Sequence, residues 1–178
     1  MMTNNNKKKF FVVIDGPMGA GKTTVAKLLH QKFKRTALLG IDRVKWAVSD
    51  FTRSSEDNAM TADVVLAMGR EYLKHGLNII LDQGFMRKEF LHPYIQLAKK
   101  EKAHLLIYQL EAPRDILLGR ITSRPKPDSA KRKVSKTKTL KNIRTYFENK
   151  YAKAQIIDSS TLTPKQIVDM ISKDIALL

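Results

Sequence analysis

The chain has 178 residues, 43% of them hydrophobic and 7% aromatic, which suffices for the buried core of one domain spanning residues 1–178. It contains no cysteine, so disulfides and zinc–thiolate sites are excluded. No apolar run reaches the roughly 20 residues that a membrane-spanning helix needs, and the polar start does not resemble a signal peptide. We therefore expect a cytoplasmic protein without membrane association.

The formal net charge of +16 is concentrated in one segment of the chain. Residues 120–153 contain twelve Lys or Arg and two acidic residues, a net charge of +10. Such a segment can form a solvated surface, cover a polyanionic nucleotide or follow a nucleic acid, and the sequence leaves these three alternatives open.

Strands and helices are predicted to alternate along the chain. The apolar patterns predict strands at 10–15, 36–41, 77–82, 103–110 and 154–158, and helices at 22–33, 56–75, 87–102, 113–123, 139–151 and from 163 onward. Gly76 is placed to end the second helix in a left-handed conformation, and Thr163 and Gln166 predict a capping box at the start of the last helix. Residues 124–137 contain two prolines and no apolar periodicity, so we expect a loop there.

The element order βαβαβαβαβα predicts an α/β fold of three layers. A parallel sheet of about five strands would be covered by helices on both faces, with right-handed crossovers. Ligands of such sheets bind at the carboxyl ends of the strands. Residues that directly follow a strand are therefore the first candidates for a functional site.

The stretch GPMGAGKTT, residues 16–24, follows the first strand and matches the phosphate-binding-loop pattern GxxxxGK[ST]. Glycines let the backbone approach phosphate oxygens, and the next helix directs its positive end at them. Lys22 is expected to reach the β- and γ-phosphates, and the Thr23 hydroxyl is expected to bind Mg²⁺. The predicted nucleotide-binding residues are Gly16, Met18, Gly19, Ala20, Gly21, Lys22, Thr23 and Thr24.

The second and third strands are each followed by an acidic and a basic residue. Asp42 can accept the proton of an acceptor hydroxyl while Arg43 holds an anionic part of the substrate, or it can cap the next helix. Asp82 is placed to bind Mg²⁺, directly or through water, and Arg87 lies a few residues further, on the acceptor side. A turn residue and a solvated arginine are the structural alternatives for this second pair.

Two arginines, Arg120 and Arg124, are predicted one helical turn apart at the edge of the basic loop. Like charges at this spacing repel each other unless an anion lies between them. The pair and the cationic loop at about 124–137 are therefore typical of a lid that excludes water and neutralises a transferring phosphoryl group. Both arginines are candidate catalytic residues, together with Lys22 and Asp42, and Arg120 is also a candidate nucleotide contact.

The strings GPMGAGKTT, LLGIDRVKW, NIILDQGFMR, LEAPRDILLGRITSR and IIDSSTLTPKQIVDMI carry a family resemblance. In this order they resemble the small P-loop kinases of the nucleoside-monophosphate-kinase-like group, close to the AAA-domain and zeta-toxin-like kinases. That set includes chloramphenicol phosphotransferases and polynucleotide 5′-hydroxyl kinases. The string DQGFMR departs from the DGFPR of adenylate-type kinases, so Arg87 is predicted from its position after the strand alone.

The resemblance implies ATP as the donor, a Mg²⁺ ion, and Asp42 as the carboxylate that faces the acceptor hydroxyl. It also implies that Arg120 and Arg124 are lid arginines near the adenine and the phosphates, with residues 158–163 passing near the adenine. Asp15 is similar to the acidic residue that precedes the phosphate loop in thymidylate and deoxynucleoside kinases. This similarity leaves a phosphorylated nucleoside as an alternative for the acceptor.

The leading hypothesis is an ATP-dependent kinase that transfers the γ-phosphoryl group to a hydroxyl of a small molecule or nucleotide. A polynucleotide 5′-hydroxyl kinase is the second hypothesis, because the basic segment suits a nucleic-acid partner. A nucleotide-dependent switch or regulatory ATPase without a phosphoryl acceptor is the third. The sequence specifies neither the acceptor nor an oligomeric state.

Overall fold

Five parallel strands form the central sheet of this computed structural model, which describes residues 8–52, 54–123 and 135–178. The strand order across the sheet is β2-β3-β1-β4-β5. The strands are β1 (Phe10–Asp15), β2 (Thr36–Leu39), β3 (Asn78–Asp82), β4 (His104–Glu111) and β5 (Gln155–Asp158). The predicted parallel α/β sheet of five strands is thus confirmed.

Helices follow each strand, as the alternating pattern predicts. The α-helices of the described residues are α1 (Lys22–Lys32), α2 (Ile41–Val44), α3 (Ser55–Lys74), α4 (His92–Lys100), α5 (Arg114–Thr122), α6 (Lys136–Glu148) and α7 (Pro164–Ala176). Short 3₁₀ helices occupy Lys45–Ala47 and Lys88–Leu91. In these ranges no helix is long and apolar enough to cross a membrane.

The two faces of the sheet are covered by different helices, which makes three layers. Alternate residues of β1 point to opposite faces, so this central strand contributes to two separate apolar clusters. One cluster joins β1 to α1, α5, α6 and α7 through Val12, Leu29, Leu117, Ile143 and Ile171. The other joins it to α3 and α4 through Val13, Val65, Leu73, Tyr94 and Leu97.

Two predicted helix caps are present, one at the start of α7 and one at the end of α3. Thr163 accepts from the backbone N–H of Gln166, whose side chain in turn accepts from the Thr163 N–H, so the capping box is confirmed. Gly76 has a φ angle of 73° just after α3, as expected for a left-handed helix end.

The structure corrects the prediction of one continuous helix over 87–102. A 3₁₀ helix at Lys88–Leu91 is followed by the separate helix α4, which has Pro93 in its first turn. Proline has no N–H to continue a preceding helix, but it fits the first turn of a new one. The predicted strand 36–41 is also shorter, because α2 begins at Ile41.

The predicted lid, 124–137, overlaps the described structure only at its end. Ser135 is the N-cap of α6 and accepts from the Lys138 N–H at 3.1 Å, so residues 136 and 137 are helical. The rest of that segment, and Arg124 with it, lies outside the described residues.

Candidate functional site

The phosphate loop, residues 16–24, connects β1 to α1, and its three glycines all have positive φ angles. Gly16 has φ 147°, and a Cβ atom there would lie 2.4 Å from the carbonyl oxygen of Leu110. Gly19 has φ 91°, and a Cβ atom there would lie 2.7 Å from the carbonyl oxygen of Leu117 in α5. Because neither position has room for a side chain, glycine allows the loop to pack against β4 and α5.

Helix α1 directs its N-terminus at the inside of this loop. The first hydrogen bond of the helix runs from the Val25 N–H to the Gly21 carbonyl at 3.1 Å. The N–H groups of residues 22–24 therefore have no acceptor within the helix. A Cβ atom on Gly21 would meet no atom within 4 Å, so the loop is open at this residue. The N–H groups and the helix dipole together favour an anion here.

The predicted nucleotide-binding side chains lie on this loop and on the first turn of α1. Thr23 and Thr24 are exposed, whereas Ala20 is buried and Met18 is half-buried. The Lys22 ammonium donates to the Pro17 carbonyl at 3.0 Å, which keeps it inside the curve of the loop.

The register of the sheet brings the loops after β1, β3 and β2 to one edge. Asp82 pairs with Ile14 of β1, so this residue lies beside the end of β1, just before the phosphate loop. Leu39 pairs with Leu81, and a Cβ atom on Gly40 would lie 2.5 Å from the Asp82 carbonyl oxygen. Asp42 follows two residues later. The carboxyl edge of the sheet therefore carries the phosphate loop, Asp82 and Asp42 on three neighbouring strands.

Two contacts hold these loops together, and the sequence patterns did not predict either of them. The Gln83 side-chain oxygen accepts from the Ile41 N–H at 3.1 Å, which joins the loop after β3 to the start of α2. Next to it, a Cβ atom on Gly84 would lie 3.6 Å from the Lys22 Nζ atom and 3.0 Å from the Gly16 carbonyl oxygen. The loop after β3 thus contacts both the phosphate loop and the segment that carries Asp42.

Asp42 lies in the first turn of α2, and the N-cap of that helix is Gly40. The interpretation of Asp42 as the helix cap is therefore wrong, because no side chain caps this helix. Its Oδ1 atom forms an ion pair with the Lys45 ammonium. The Asp42 side chain is 80% exposed and that of Lys45 is 10% exposed, so a nearly buried cation holds an open carboxylate in place. Lys45 had no role in the sequence prediction, although its i,i+3 spacing from Asp42 is a local signal.

The two predicted acceptor-side arginines are both exposed. Arg43 is the neighbour of Asp42 in α2, and its N–H donates to the Gly40 carbonyl at 3.0 Å. Arg87 is the N-cap residue of the 3₁₀ helix Lys88–Leu91, at the end of the loop after β3. They lie on separate loops of the same sheet edge, and their contact with a substrate stays a prediction.

Arg120 lies on the other side of the phosphate loop, near the C-terminal end of α5. Its guanidinium group donates to the Ser159 carbonyl at 2.7 Å and to the Ser159 hydroxyl at 3.2 Å. It lines a cleft of about 260 Å³ together with Gly19, Ala20, Gly21, Thr24, Val25, Ser159, Leu162, Pro164 and Ile167. This cleft places Arg120 and the predicted segment 158–163 together beside the phosphate loop. Its partly apolar lining and small volume fit the base end of a nucleotide.

Asp15, the last residue of β1, is 2% exposed and accepts four hydrogen bonds. Its Oδ1 atom accepts from the N–H groups of Gly16 at 2.7 Å and Phe85 at 2.9 Å. Its Oδ2 atom accepts from the Gln109 amide at 3.0 Å and the Tyr146 hydroxyl at 3.3 Å. The carboxylate therefore ties the phosphate loop to the loop after β3, to β4 and to α6. Asp15 is thus buried in the protein interior, where it joins these elements.

Burial raises the pKa of the Asp15 carboxyl above its usual value of 3.8, while the bonds from Gln109, Phe85 and Gly16 and the charge of Lys22 act in the opposite direction. The sequence offered one signal for this network: Gln109 is a polar residue within an otherwise apolar strand end, and it is 1% exposed. A buried polar side chain needs a partner, and the neighbouring strand supplies Asp15.

The possible metal ligands at this edge are few. In the ranges that the structure describes, no group of three or more His, Cys, Asp or Glu could hold a metal ion. Thr23 and Asp82 offer one hydroxyl and one carboxylate. This small set of oxygen donors fits Mg²⁺, which keeps several waters and takes further oxygens from substrate phosphates.

The described part of the basic segment is mostly helix α6. Lys136, Lys138, Lys141 and Arg144 are exposed along this helix. A second cleft, of about 790 Å³, lies between α5 and α6 and is lined by Arg114, Lys141 and Arg144 among others. Arg144 also pairs with Glu148 at 2.7 Å. This surface is suited to an anionic partner.

Comparison with known proteins agrees with this geometry. Residues 11–149 match the family model described as an AAA domain, which covers well over half of the chain. The chain therefore belongs to the AAA domain family, and its fold and phosphate loop define a P-loop NTPase.

Several solved structures have the same fold, and one of them is a sugar kinase. The crystal structure of APE1195 has a TM-score of 0.74 and 17% identity, with 97% of each chain covered. A sugar kinase from Janibacter has a TM-score of 0.69 and 16% identity, with 94% of this chain and 96% of that chain covered. A chain of the Pnkp1/Rnl/Hen1 RNA repair complex has a TM-score of 0.67 and 17% identity. The match covers 83% of this chain and 47% of that chain. At these identities the likeness shows a common fold.

Proposed function

We propose that this protein is an ATP-dependent kinase that transfers the γ-phosphoryl group to a hydroxyl of a small-molecule or nucleotide acceptor. The phosphate loop and membership of the AAA domain family support a nucleoside triphosphate as donor. The shared fold of a sugar kinase supports phosphoryl transfer as the reaction class.

One observation carries this proposal: the segment with Asp42 adjoins the phosphate loop through a single connecting loop. Gln83 binds the start of α2, and Gly84 adjoins Lys22. A kinase needs an acceptor group close to the γ-phosphate, whereas a nucleotide switch needs no carboxylate at that place. The ion pair with Lys45 uses one oxygen of Asp42 and leaves Oδ2 to accept a proton.

The transfer can be written with these residues. The acceptor oxygen forms a bond to the γ-phosphorus, the bond from this phosphorus to the β–γ bridging oxygen breaks, and ADP leaves with that electron pair. Asp42 takes the hydroxyl proton, while Lys22 and the N–H groups of residues 22–24 hold the phosphate oxygens. Arg43 and Arg87 would hold an anionic part of the acceptor. Arg120 and Arg124 would act on the nucleotide side.

Thr23 and Asp82 are the residues that would hold Mg²⁺. When bound, the ion neutralises charge on the phosphate oxygens. The role of the protein is mainly to position the two substrates and to stabilise the charge of the transition state.

The test is ATP consumption with Mg²⁺ in the presence of hydroxyl acceptors of different classes. The panel contains nucleosides, nucleoside monophosphates, sugars, aminoglycosides, phenicols, and DNA and RNA with 5′-hydroxyl ends. We expect one class to stimulate turnover. Turnover that is indifferent to every acceptor would contradict the proposal and favour a regulatory ATPase.

A polynucleotide 5′-hydroxyl kinase is the second candidate, because α6 and the cleft beside it form an exposed cationic surface. The fold similarity to a chain of an RNA repair complex is compatible with it. Oligonucleotide affinity that falls steeply with salt would favour this candidate, and no binding at low salt would exclude it.

A further inference from the structure

Two aromatic rings beside Asp42 have no part in the proposed transfer. Trp46 lies in the 3₁₀ helix that directly follows α2, and it is 47% exposed. The ring of Phe51, five residues on, meets it edge to face, with 6.5 Å between centroids and 61° between planes. Phe51 is half-buried, so the pair presents one exposed indole supported by a partly buried ring. Tryptophan is enriched at binding surfaces, because its large apolar ring carries a polar N–H group.

Lys45 fixes the position of the Trp46 ring relative to the candidate base. Its ammonium forms the ion pair with Asp42 and lies 5.1 Å from the centroid of the Trp46 ring. The indole and the carboxylate therefore contact the same cation, which is nearly buried. A molecule whose hydroxyl reaches Asp42 would have its neighbouring atoms close to the indole.

We propose that Trp46 and Phe51 bind a planar aromatic ring of the acceptor, next to the hydroxyl that Asp42 deprotonates. The place of the hydroxyl rests on the proposed function, but ring binding itself does not depend on turnover. The inferred substrate class is a hydroxyl compound with an aromatic ring, such as a nucleoside or an aryl alcohol. Bare sugars and polyols fall outside this class, because they present no aromatic face for stacking.

Tryptophan fluorescence of the protein comes from this ring alone, because Trp46 is the single tryptophan of the sequence. Intrinsic fluorescence of the full chain is measured while acceptors are added without ATP. Adenosine and phenylethanediol carry a ring, whereas ribose and glycerol carry hydroxyls alone. We expect saturable quenching by a ring-bearing compound and none by ribose or glycerol. The comparison of adenosine with phenylethanediol distinguishes a nucleobase from a phenyl ring as the source.

Substitutions test the same site by kinetics. Trp46→Leu should raise KM for a ring-bearing acceptor roughly tenfold, the order that loss of one stacking contact produces. Trp46→Phe should restore much of the loss. Phe90→Leu is the matched control, because Phe90 is an aromatic residue that is 60% exposed in the separate 3₁₀ helix Lys88–Leu91, and we expect it to change KM less than about twofold.

Phe51→Leu is the second variant, and it keeps the fluorescent ring. It should weaken quenching by the ring-bearing compound severalfold. The thermal unfolding midpoints of the variants verify that each remains folded.

The inference is overturned if ribose or glycerol quenches as well as adenosine and phenylethanediol, or if neither ring-bearing compound has an effect. Equal effects of Trp46→Leu and Phe90→Leu would also overturn it. Quenching without any phosphorylated product would support the ring site and contradict the kinase. Phosphorylation of a ring-free acceptor without quenching would support the kinase and contradict the ring site.

Discussion

The donor side and the acceptor side of the sheet edge are built in different ways. The donor side is the phosphate loop. The buried Asp15 at its start is 2% exposed and accepts four hydrogen bonds. The acceptor side is α2 and the residues after it, where the Asp42 side chain is 80% exposed and Trp46 is 47% exposed. The donor side is held by four buried hydrogen bonds, and the acceptor side by the Asp42–Lys45 ion pair and the hydrogen bond from the Ile41 N–H to Gln83.

This difference follows from what each side binds. Every nucleoside triphosphate presents the same phosphates, so a rigid loop with fixed backbone donors suits all of them. An acceptor is recognised by its own shape, and exposed side chains on short helices can be changed without disturbing the core. Changes on the donor side should therefore affect nucleotide binding or stability, whereas changes on the acceptor side should affect turnover or the KM for the acceptor and leave ATP binding unchanged.

The largest effect is expected for Lys22→Ala on the donor side. Loss of the ammonium that contacts the phosphates should reduce turnover by about three orders of magnitude and weaken ATP binding at least about tenfold. Calorimetric titration with ATP and a turnover assay provide the two readouts. Lys27→Ala, an exposed lysine on the same helix, is the control, and equal loss in both variants would contradict a specific role for Lys22.

Asp42→Asn should be next in size, and its effect should be confined to turnover. Removal of the general base should lower kcat by about two to four orders of magnitude while the affinity for ATP stays unchanged. Asp50→Asn is the matched control, since Asp50 is exposed and its positive φ angle of 57° is one that Asn tolerates. Unchanged turnover in Asp42→Asn would remove this residue from the mechanism.

Gln83→Ala tests the link between the two sides and should have an intermediate effect. Loss of the acceptor for the Ile41 N–H should displace α2, lowering kcat roughly tenfold with KM for ATP nearly constant. Gln83→Glu keeps an acceptor oxygen and should recover most of the activity. If the Ala and Glu variants lose activity equally, the bond to Ile41 does not position Asp42.

The smallest effect is expected for Asp15→Asn, and it appears in stability as a function of pH. Burial raises the pKa of Asp15 in the folded protein, so the folded state binds more protons at this site than the unfolded state. Its contribution to the free energy of unfolding is complete below the usual value of 3.8 and decreases as pH rises from there to the raised pKa. Over that pH range the free energy of unfolding of Asp15→Asn, measured in urea, should therefore rise relative to that of wild type.

Asp57→Asn is the control for this pH experiment. Hydrogen bonds from Thr52 lower the pKa of Asp57, so its window lies below 3.8 and its difference from wild type should be flat above it. Parallel pH curves for wild type and Asp15→Asn would contradict the account of Asp15.

The donor side could be predicted from the sequence because its determinants are local. The eight residues from Gly16 to Thr23 fix the loop, and the apolar runs around it fix β1 and the other strands. The bonds of Asp15 join residues as far apart as Gln109 and Tyr146, and no local pattern encodes such a contact. Gln109 alone gave a hint, as a polar residue in a buried strand.

The acceptor side was predicted less completely. Asp42 was identified from its place after β2, but the short helix α2 is below the length at which periodicity can be recognised. The ion pair with Lys45 and the bond from Gln83 depend on how two loops meet at the sheet edge. The split of the predicted helix 87–102 could have been seen from Pro93.

The most direct test of phosphoryl transfer is phosphorus NMR of the full chain with ATP, Mg²⁺ and each acceptor in turn. The account predicts that ADP and a new phosphate ester of one acceptor appear together in equal amounts, and that Lys22→Ala abolishes both. ATP cleavage that yields inorganic phosphate with every acceptor would contradict the account, because the γ-phosphoryl group would then pass to water.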